Sequence, residues 1–107
     1  MELSRSDKIA THIREIASQF IERESNKTAL ITVTRVEMTD RDRGATLYIS
    51  VLPESGEESA LNFLKRKRPE IRDAIKRGIN MRTIPFLDVA IDSGAKAERR
   101  IESLLKE

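Results

Sequence analysis

Residues 64–78 read LKRKRPEIRDAIKRG, in which regularly spaced aliphatic side chains alternate with a dense run of bases. At about 100° per residue, the apolar side chains from position 61 to position 75 gather on one helical flank, and basic side chains gather beside them. Pro69 has no N–H to donate inside a helix, but it suits the first turn of a new one. The stretch therefore predicts two helices joined by a kink at Pro69.

Charge is the strongest functional signal in this region. Between positions 61 and 87 the only acidic residues are Glu70 and Asp73. The candidate RNA-binding residues are the eight bases of the same region: Lys65, Arg66, Lys67, Arg68, Arg72, Lys76, Arg77 and Arg82. Clustered lysine and arginine bind nucleic-acid phosphates and release counterions as they do so. A solvated helix face is the other interpretation of such a run, and composition alone leaves both open.

Length and composition limit the class of protein. A chain of 107 residues predicts a single domain over residues 1–107 with one core. A hydrophobic content of 38% excludes a wholly disordered chain, and the absence of cysteine excludes disulfides, a thiolate nucleophile and zinc-finger spacing. No secretory signal or bilayer-spanning segment is visible, so we expect a cytoplasmic protein with no membrane partner.

Periodicity predicts the other elements. Apolar residues from Ile9 to Ile21 recur at spacings of three and four, which indicates a helix ending near Glu24. A helix beginning at Ala60, with Ser59 as its cap, leads into the kinked pair, and Gly78 is expected to end that pair. The remaining elements are predicted strands at 29–38, 45–52 and 86–92 and a final helix at 95–105. The expected fold is α+β, in the order α-β-β-α-(kink)-α-β-α.

Catalysis and metal binding have little support in the sequence. There is no glycine-rich phosphate loop and no Gly-x-Ser-x-Gly motif, and the single histidine, His12, has no cysteine or second histidine to join it. Asp40 and Asp42 have the spacing that opens a calcium loop, but the required glycine and distal glutamate are not at their offsets. We therefore expect no catalytic residues, no metal, no cofactor and no small-molecule substrate.

Several segments are informative through their order and spacing: VTRVE at 33–37, ATLYISV at 45–51, Ile-Arg at 71–72, and MRTIPFLDV at 81–89 followed by Asp92. Together they resemble the ribosome-binding factor A family over nearly the whole chain. The resemblance implies a KH-like type II domain, with a three-stranded sheet packed against helices, in a monomeric protein that is not an enzyme. It also implies binding to the 16S ribosomal RNA of the small (30S) ribosomal subunit during its maturation.

Two positions depart from the family pattern. The kink of the family usually reads Ala-x-Gly, whereas this chain has Lys67-Arg68-Pro69, and the fixed φ of proline cannot copy a glycine geometry. The Asp-Leu pair usual in the hairpin loop is replaced by Arg41-Asp42, which places more charge there.

Aromatic content bears on how RNA is read. Stacking on aromatic rings is the usual way to recognise single-stranded bases. The chain has four aromatic residues, Phe20, Tyr48, Phe63 and Phe86, and their pattern commits most of them to the core. We therefore expect recognition of the backbone and shape of a folded RNA. The alternative is a KH-like protein-interaction module without direct RNA contact, in which a sheet face or strand edge binds a peptide or a second copy.

Overall fold

The computed structural model describes residues 3–105, and its element order confirms the predicted α+β fold. The elements in chain order are α1 (Arg5–Glu24), β1 (Leu30–Thr39), β2 (Gly44–Leu52), α2 (Glu57–Arg66), α3 (Arg68–Gly78), β3 (Phe86–Ile91) and α4 (Ser93–Leu105). A short 3₁₀ turn, Glu54–Gly56, leads into α2. No helix within residues 3–105 is long and apolar enough to cross a membrane.

The three strands form a mixed sheet in the order β1-β2-β3. β1 and β2 pair antiparallel as a hairpin, and β2 pairs parallel with β3, so β3 is an edge strand. Side chains alternate between the two faces of a strand, and on β2 one set is buried beneath the helices. The hairpin loop holds Asp40, Arg41 and Asp42 at φ values of 48°, 54° and 68°, in the left-handed region.

Helices α1, α2 and α3 bury their apolar flanks against one face of the sheet. Leu64 and Ile71 have no exposed surface, although they lie on opposite sides of the break between α2 and α3. Burying such a side chain contributes about 1.5–3 kcal/mol, so each helix of the pair is held to the core separately. The basic flank predicted from the sequence is therefore left on the outside.

The start of α2 differs from the prediction, whereas α3 ends at Gly78 as predicted. α2 begins at Glu57, so Ser59 lies inside the helix and caps nothing. The earlier start places Glu57 and Glu58 in the first turn, where carboxylates are favoured by the helix dipole. Gly78 is the last residue of α3, but its φ is not positive, and its small size serves packing instead. A Cβ there would lie 2.8 Å from Cδ1 of Ile16 on α1.

The last helix is attached to the rest of the molecule at its first turns. The Asp92 carboxylate accepts the backbone N–H of Ala95 at 3.1 Å, which caps α4. Lys96 then forms a salt bridge of 3.0 Å with Glu57 at the start of α2. The apolar residues that share one side of this helix, Ala97, Ile101, Leu104 and Leu105, are exposed.

Candidate nucleic-acid interface

The helix pair breaks at Lys67. This residue has φ −94° and ψ 5°, and its N–H bonds to the carbonyls of Phe63 and Leu64. Pro69 is the second residue of α3 and has no N–H for the carbonyl of Lys65, which instead accepts a hydrogen bond from Nε of Arg68 at 3.1 Å. The predicted kink is therefore present, immediately before a proline that cannot continue the first helix.

A groove runs between this break and the edge strand β3. We call it the kink groove, and the residues that line it are Lys65, Arg66, Arg68, Pro69, Arg72, Phe86, Leu87 and Asp88. Within residues 3–105, the salt bridges involve Arg35, Lys96 and Arg100 but none of the four groove bases. Asp88 is the one acid in the lining, so the groove is positively charged.

Two of the four groove bases also hold the chain in place. Arg72 donates from Nε to the carbonyl of Pro85 and from Nη2 to that of Ile84, both at 3.0 Å. Arg68 donates from Nη1 to the carbonyl of Leu87 at 3.4 Å. These contacts fix the segment that enters β3 and fix both guanidinium groups in return. Lys65 and Arg66 are exposed, and their side chains form no hydrogen bond with the part of the chain that is described.

The other predicted RNA-binding residues are dispersed. Lys67 is half-buried at the break, and Lys76 and Arg77 are exposed farther along α3, outside the groove lining. Arg82 lies in a second concave region together with three further arginines. We call this set the loop cluster, and it consists of Arg5, Arg41, Arg43 and Arg82.

The sequence does not predict that the four arginines of the loop cluster lie together. The unusual Arg41-Asp42 pair indicated extra charge in the hairpin loop, but nothing local places that loop beside Arg82. The contact depends on the sheet, because the backbone N–H of Phe86 bonds to the carbonyl of Arg43 at 2.8 Å as β3 joins β2. This pairing brings the 79–85 segment to the hairpin tip.

The aromatic residues follow the prediction with one exception. Phe20 is buried, and Phe63 and Tyr48 are half-buried. Tyr48 is also covered, because the guanidinium carbon of Arg35 lies 3.8 Å from its ring centroid. Phe86 is 73% exposed at the start of the edge strand, where it alternates with the buried Leu87. The guanidinium carbon of Arg72 lies 4.9 Å from the Phe86 ring centroid.

No group of three or more histidine, cysteine, aspartate or glutamate side chains is arranged to hold a metal ion in the 3–105 range. The pKa of the Asp92 carboxyl is lowered, first by a hydrogen bond from Thr34 and next by one from the Ala95 backbone. Both are contacts that hold the fold together.

Comparison with known proteins places the chain in a family. The family model for ribosome-binding factor A matches residues 5–105. The chain belongs to the ribosome-binding factor A family. A ribosome-binding factor A of Geotalea daltonii is 30% identical over 96% of this chain and 86% of its own length. That of Geotalea uraniireducens is 32% identical over 96% and 87%. The family resemblance seen in the sequence is thereby confirmed.

Solved ribosome-binding factor A structures share this fold. The crystal structure of the Thermus thermophilus protein has a TM-score of 0.73 at 21% identity, over 82% of this chain and 97% of that one. The solution structure of a Thermotoga maritima protein, described as a putative member, has a TM-score of 0.59 at 24% identity, over 79% and 80%. A Thermus thermophilus homology model fitted into a cryo-EM map of a 30S complex has a TM-score of 0.66 at 21% identity, over 79% and 92%.

Proposed function

We propose that this protein binds the small (30S) ribosomal subunit and acts in its maturation, contacting 16S ribosomal RNA through the kink groove. Membership of the ribosome-binding factor A family supports the ribosomal partner, as does the fitting of a Thermus thermophilus member into a 30S complex. In this proposal the chain acts as one cytoplasmic, monomeric domain without enzymatic activity.

The observation that carries the proposal is the set of four basic residues around one groove, none of which forms a salt bridge within residues 3–105. Lys65 and Arg66 are exposed at the end of α2, beside the fixed guanidinium groups of Arg68 and Arg72. Phosphates that bind there would release counterions, so affinity should fall steeply as salt rises. Lys67, Lys76 and Arg77 lie outside the groove lining and would add to the surrounding positive field.

The test reverses charge at Lys65 and Arg66, whose side chains form no hydrogen bond within residues 3–105. Arg68 and Arg72 bond to the backbone, so their reversal would disturb the segment before β3 as well as the charge. We expect the Lys65→Glu/Arg66→Glu variant to co-sediment with small subunits at least tenfold more weakly than the unmodified protein, because each lost phosphate contact lowers the affinity and the salt slope. Its thermal midpoint should fall only slightly, because both changes lie in the last turn of α2, where the helix dipole favours basic side chains.

The matched control is Arg14→Glu/Arg23→Glu, which makes the same charge change at two exposed positions of α1 outside the groove. This control should co-sediment nearly as well as the unmodified protein. If the groove variant still co-sediments normally at moderate salt, the groove is not the docking surface. That outcome would favour the protein-interaction module, which has no need of these bases.

A further inference from the structure

We propose that the kink groove and the loop cluster form one continuous track for single-stranded RNA, in which an unpaired nucleobase stacks on Phe86. This inference rests on the proposed function, because it specifies how the same ribosomal RNA is held. It departs from the expectation, drawn from the sequence, that the backbone and shape of a folded RNA are recognised more than individual bases.

The two basic regions meet at a single backbone contact. Phe86 lines the kink groove and Arg43 belongs to the loop cluster, and the Phe86 N–H donates to the Arg43 carbonyl at 2.8 Å. An RNA strand that leaves the groove past Phe86 therefore reaches the loop cluster directly.

Phe86 is placed and fixed as a stacking surface. It is an aromatic side chain that is 73% exposed, at the start of an edge strand and not on a mobile terminus. Arg72 lies over the ring at 4.9 Å and is itself held by the carbonyls of Ile84 and Pro85. The exposed remainder of the ring is open to a base, and stacking on such rings is tolerant of sequence.

The loop cluster supplies the phosphate contacts beyond the ring. The four arginines line one concave region in which Asp42 is the one acid, and none of the four forms a salt bridge within residues 3–105. The nearby carboxylate of Asp42 accepts a hydrogen bond from the Ser6 hydroxyl at 2.9 Å. Like charges gathered in this way repel one another, and an anion between them relieves the repulsion.

Single-stranded RNA is the form that this arrangement fits. In a duplex, every base is already stacked between its neighbours and its face is not available to a protein ring. An unpaired segment can present a base to Phe86 and its flanking phosphates to the two basic regions. Base stacking and electrostatic tracking of the backbone are the two components of single-strand binding in general.

The first test uses Phe86→Trp as an optical reporter, since the chain has no other tryptophan. A short single-stranded oligoadenylate should quench the emission saturably, and raising the salt should reverse the quenching. A duplex RNA of equal length should quench much less. Unchanged emission while fluorescence anisotropy reports that oligoadenylate is bound would overturn the stacking, and equal quenching by the duplex would overturn the preference for single strands.

The second test measures affinity. Phe86→Ala should weaken oligoadenylate binding roughly tenfold, whereas Phe86→Trp should retain it. Leu30→Ala is the matched control, because it removes a side chain that is 65% exposed at the far end of β1. Arg41→Gln/Arg43→Gln should weaken binding and reduce its salt dependence, which a role for the groove alone does not predict.

The outcomes separate this inference from the proposed function. If the unmodified protein binds small subunits but not oligoadenylate, or if Phe86→Ala binds oligoadenylate as tightly as the unmodified protein, the stacking track is wrong and subunit binding stands. If the Lys65→Glu/Arg66→Glu variant co-sediments normally while Phe86→Ala loses oligoadenylate, the groove proposal fails instead.

Discussion

The Thr34 hydroxyl donates a hydrogen bond to Oδ2 of Asp92 at 2.5 Å, which links β1 to the residue that follows β3 across the open face of the sheet. The link is possible because the β1–β2 register shifts between Val33 and Arg35. Thr34 is the extra residue of that bulge, and a bulge re-aims the side chains around it. Since Oδ1 of Asp92 also caps α4 at Ala95, one carboxylate connects three elements.

Asp92 should make the free energy of unfolding depend on pH in the acid range. Hydrogen bonds from Thr34 and Ala95, with the charge of Arg35, hold its pKa below 3.8 in the folded protein. Its contribution is therefore complete above the unfolded-state pKa and is lost as pH falls through the lower folded-state pKa. We expect Asp92→Asn to lower the free energy of unfolding by about 1 kcal/mol at pH 7 and by less at acid pH, measured by urea denaturation.

The matched control is Asp88→Asn, which neutralises an exposed carboxylate of β3, four residues earlier. Its effect should stay within about 0.5 kcal/mol at both pH values. An Asp92→Asn variant whose loss of stability is as large at pH 2 as at pH 7 would contradict the assignment, because the ionised carboxylate would then contribute nothing.

Features of the fold and of the candidate site could be predicted from the sequence where they depend on residues that are close together in the chain. The kinked pair could be predicted because its signals are local: the apolar spacing around Leu64 and Ile71 and the missing N–H of Pro69. The exposure of Phe86 could not, since alternation along β3 shows that Phe86 and Leu87 face opposite ways but not which side lacks a helix. The meeting of Arg82 with Arg41 likewise depends on strand order.

Gly78 illustrates the same limit and gives a second prediction. α3 ends at this glycine as the sequence predicts, but only the structure shows the close approach of α1 through Ile16. Alanine should gain helix stability of roughly 0.5–1 kcal/mol at this position, but its Cβ would meet Cδ1 of Ile16. We therefore expect Gly78→Ala to be near neutral alone and clearly stabilising in an Ile16→Val background, which lacks Cδ1.

A thermal double-mutant cycle measures this coupling. Gly44→Ala is unsuitable as a control, because a Cβ there would lie 2.5 Å from the Thr39 hydroxyl oxygen. Arg77→Ala, one residue earlier and exposed, provides the comparison in both backgrounds. Equal effects of Gly78→Ala with and without the Ile16 methyl group would show that packing against α1 does not select the glycine.

The end of α4 should contribute little to stability. Residues 101–105 are exposed throughout, whereas Lys96 bonds to Glu57 and Arg99 donates to the Val51 carbonyl. A chain that ends at Arg100 should unfold within about 0.5 kcal/mol of the full chain. A chain that ends at Ser93 loses the attachments as well and should be lower by about 1 kcal/mol, measured by urea denaturation. Equal losses for the two truncations would place the attachment beyond position 100.

Arg72 should act through its shape as much as through its charge. Its guanidinium bonds to two successive carbonyls, at Ile84 and Pro85, and lies over Phe86. A lysine keeps the charge but is a single point donor without the planar fork, so Arg72→Lys should lower the free energy of unfolding by about 1–2 kcal/mol. The same change at Arg77, which is exposed on the same helix, should stay within about 0.5 kcal/mol. Hydrogen exchange should also speed up at the Phe86 amide in the Arg72 variant, since the segment leading into β3 loses its anchor.

If Arg72→Lys and Arg77→Lys have the same stability, the two carbonyl contacts do not hold this segment. The argument that the Phe86 ring is held in place would then lose its physical basis.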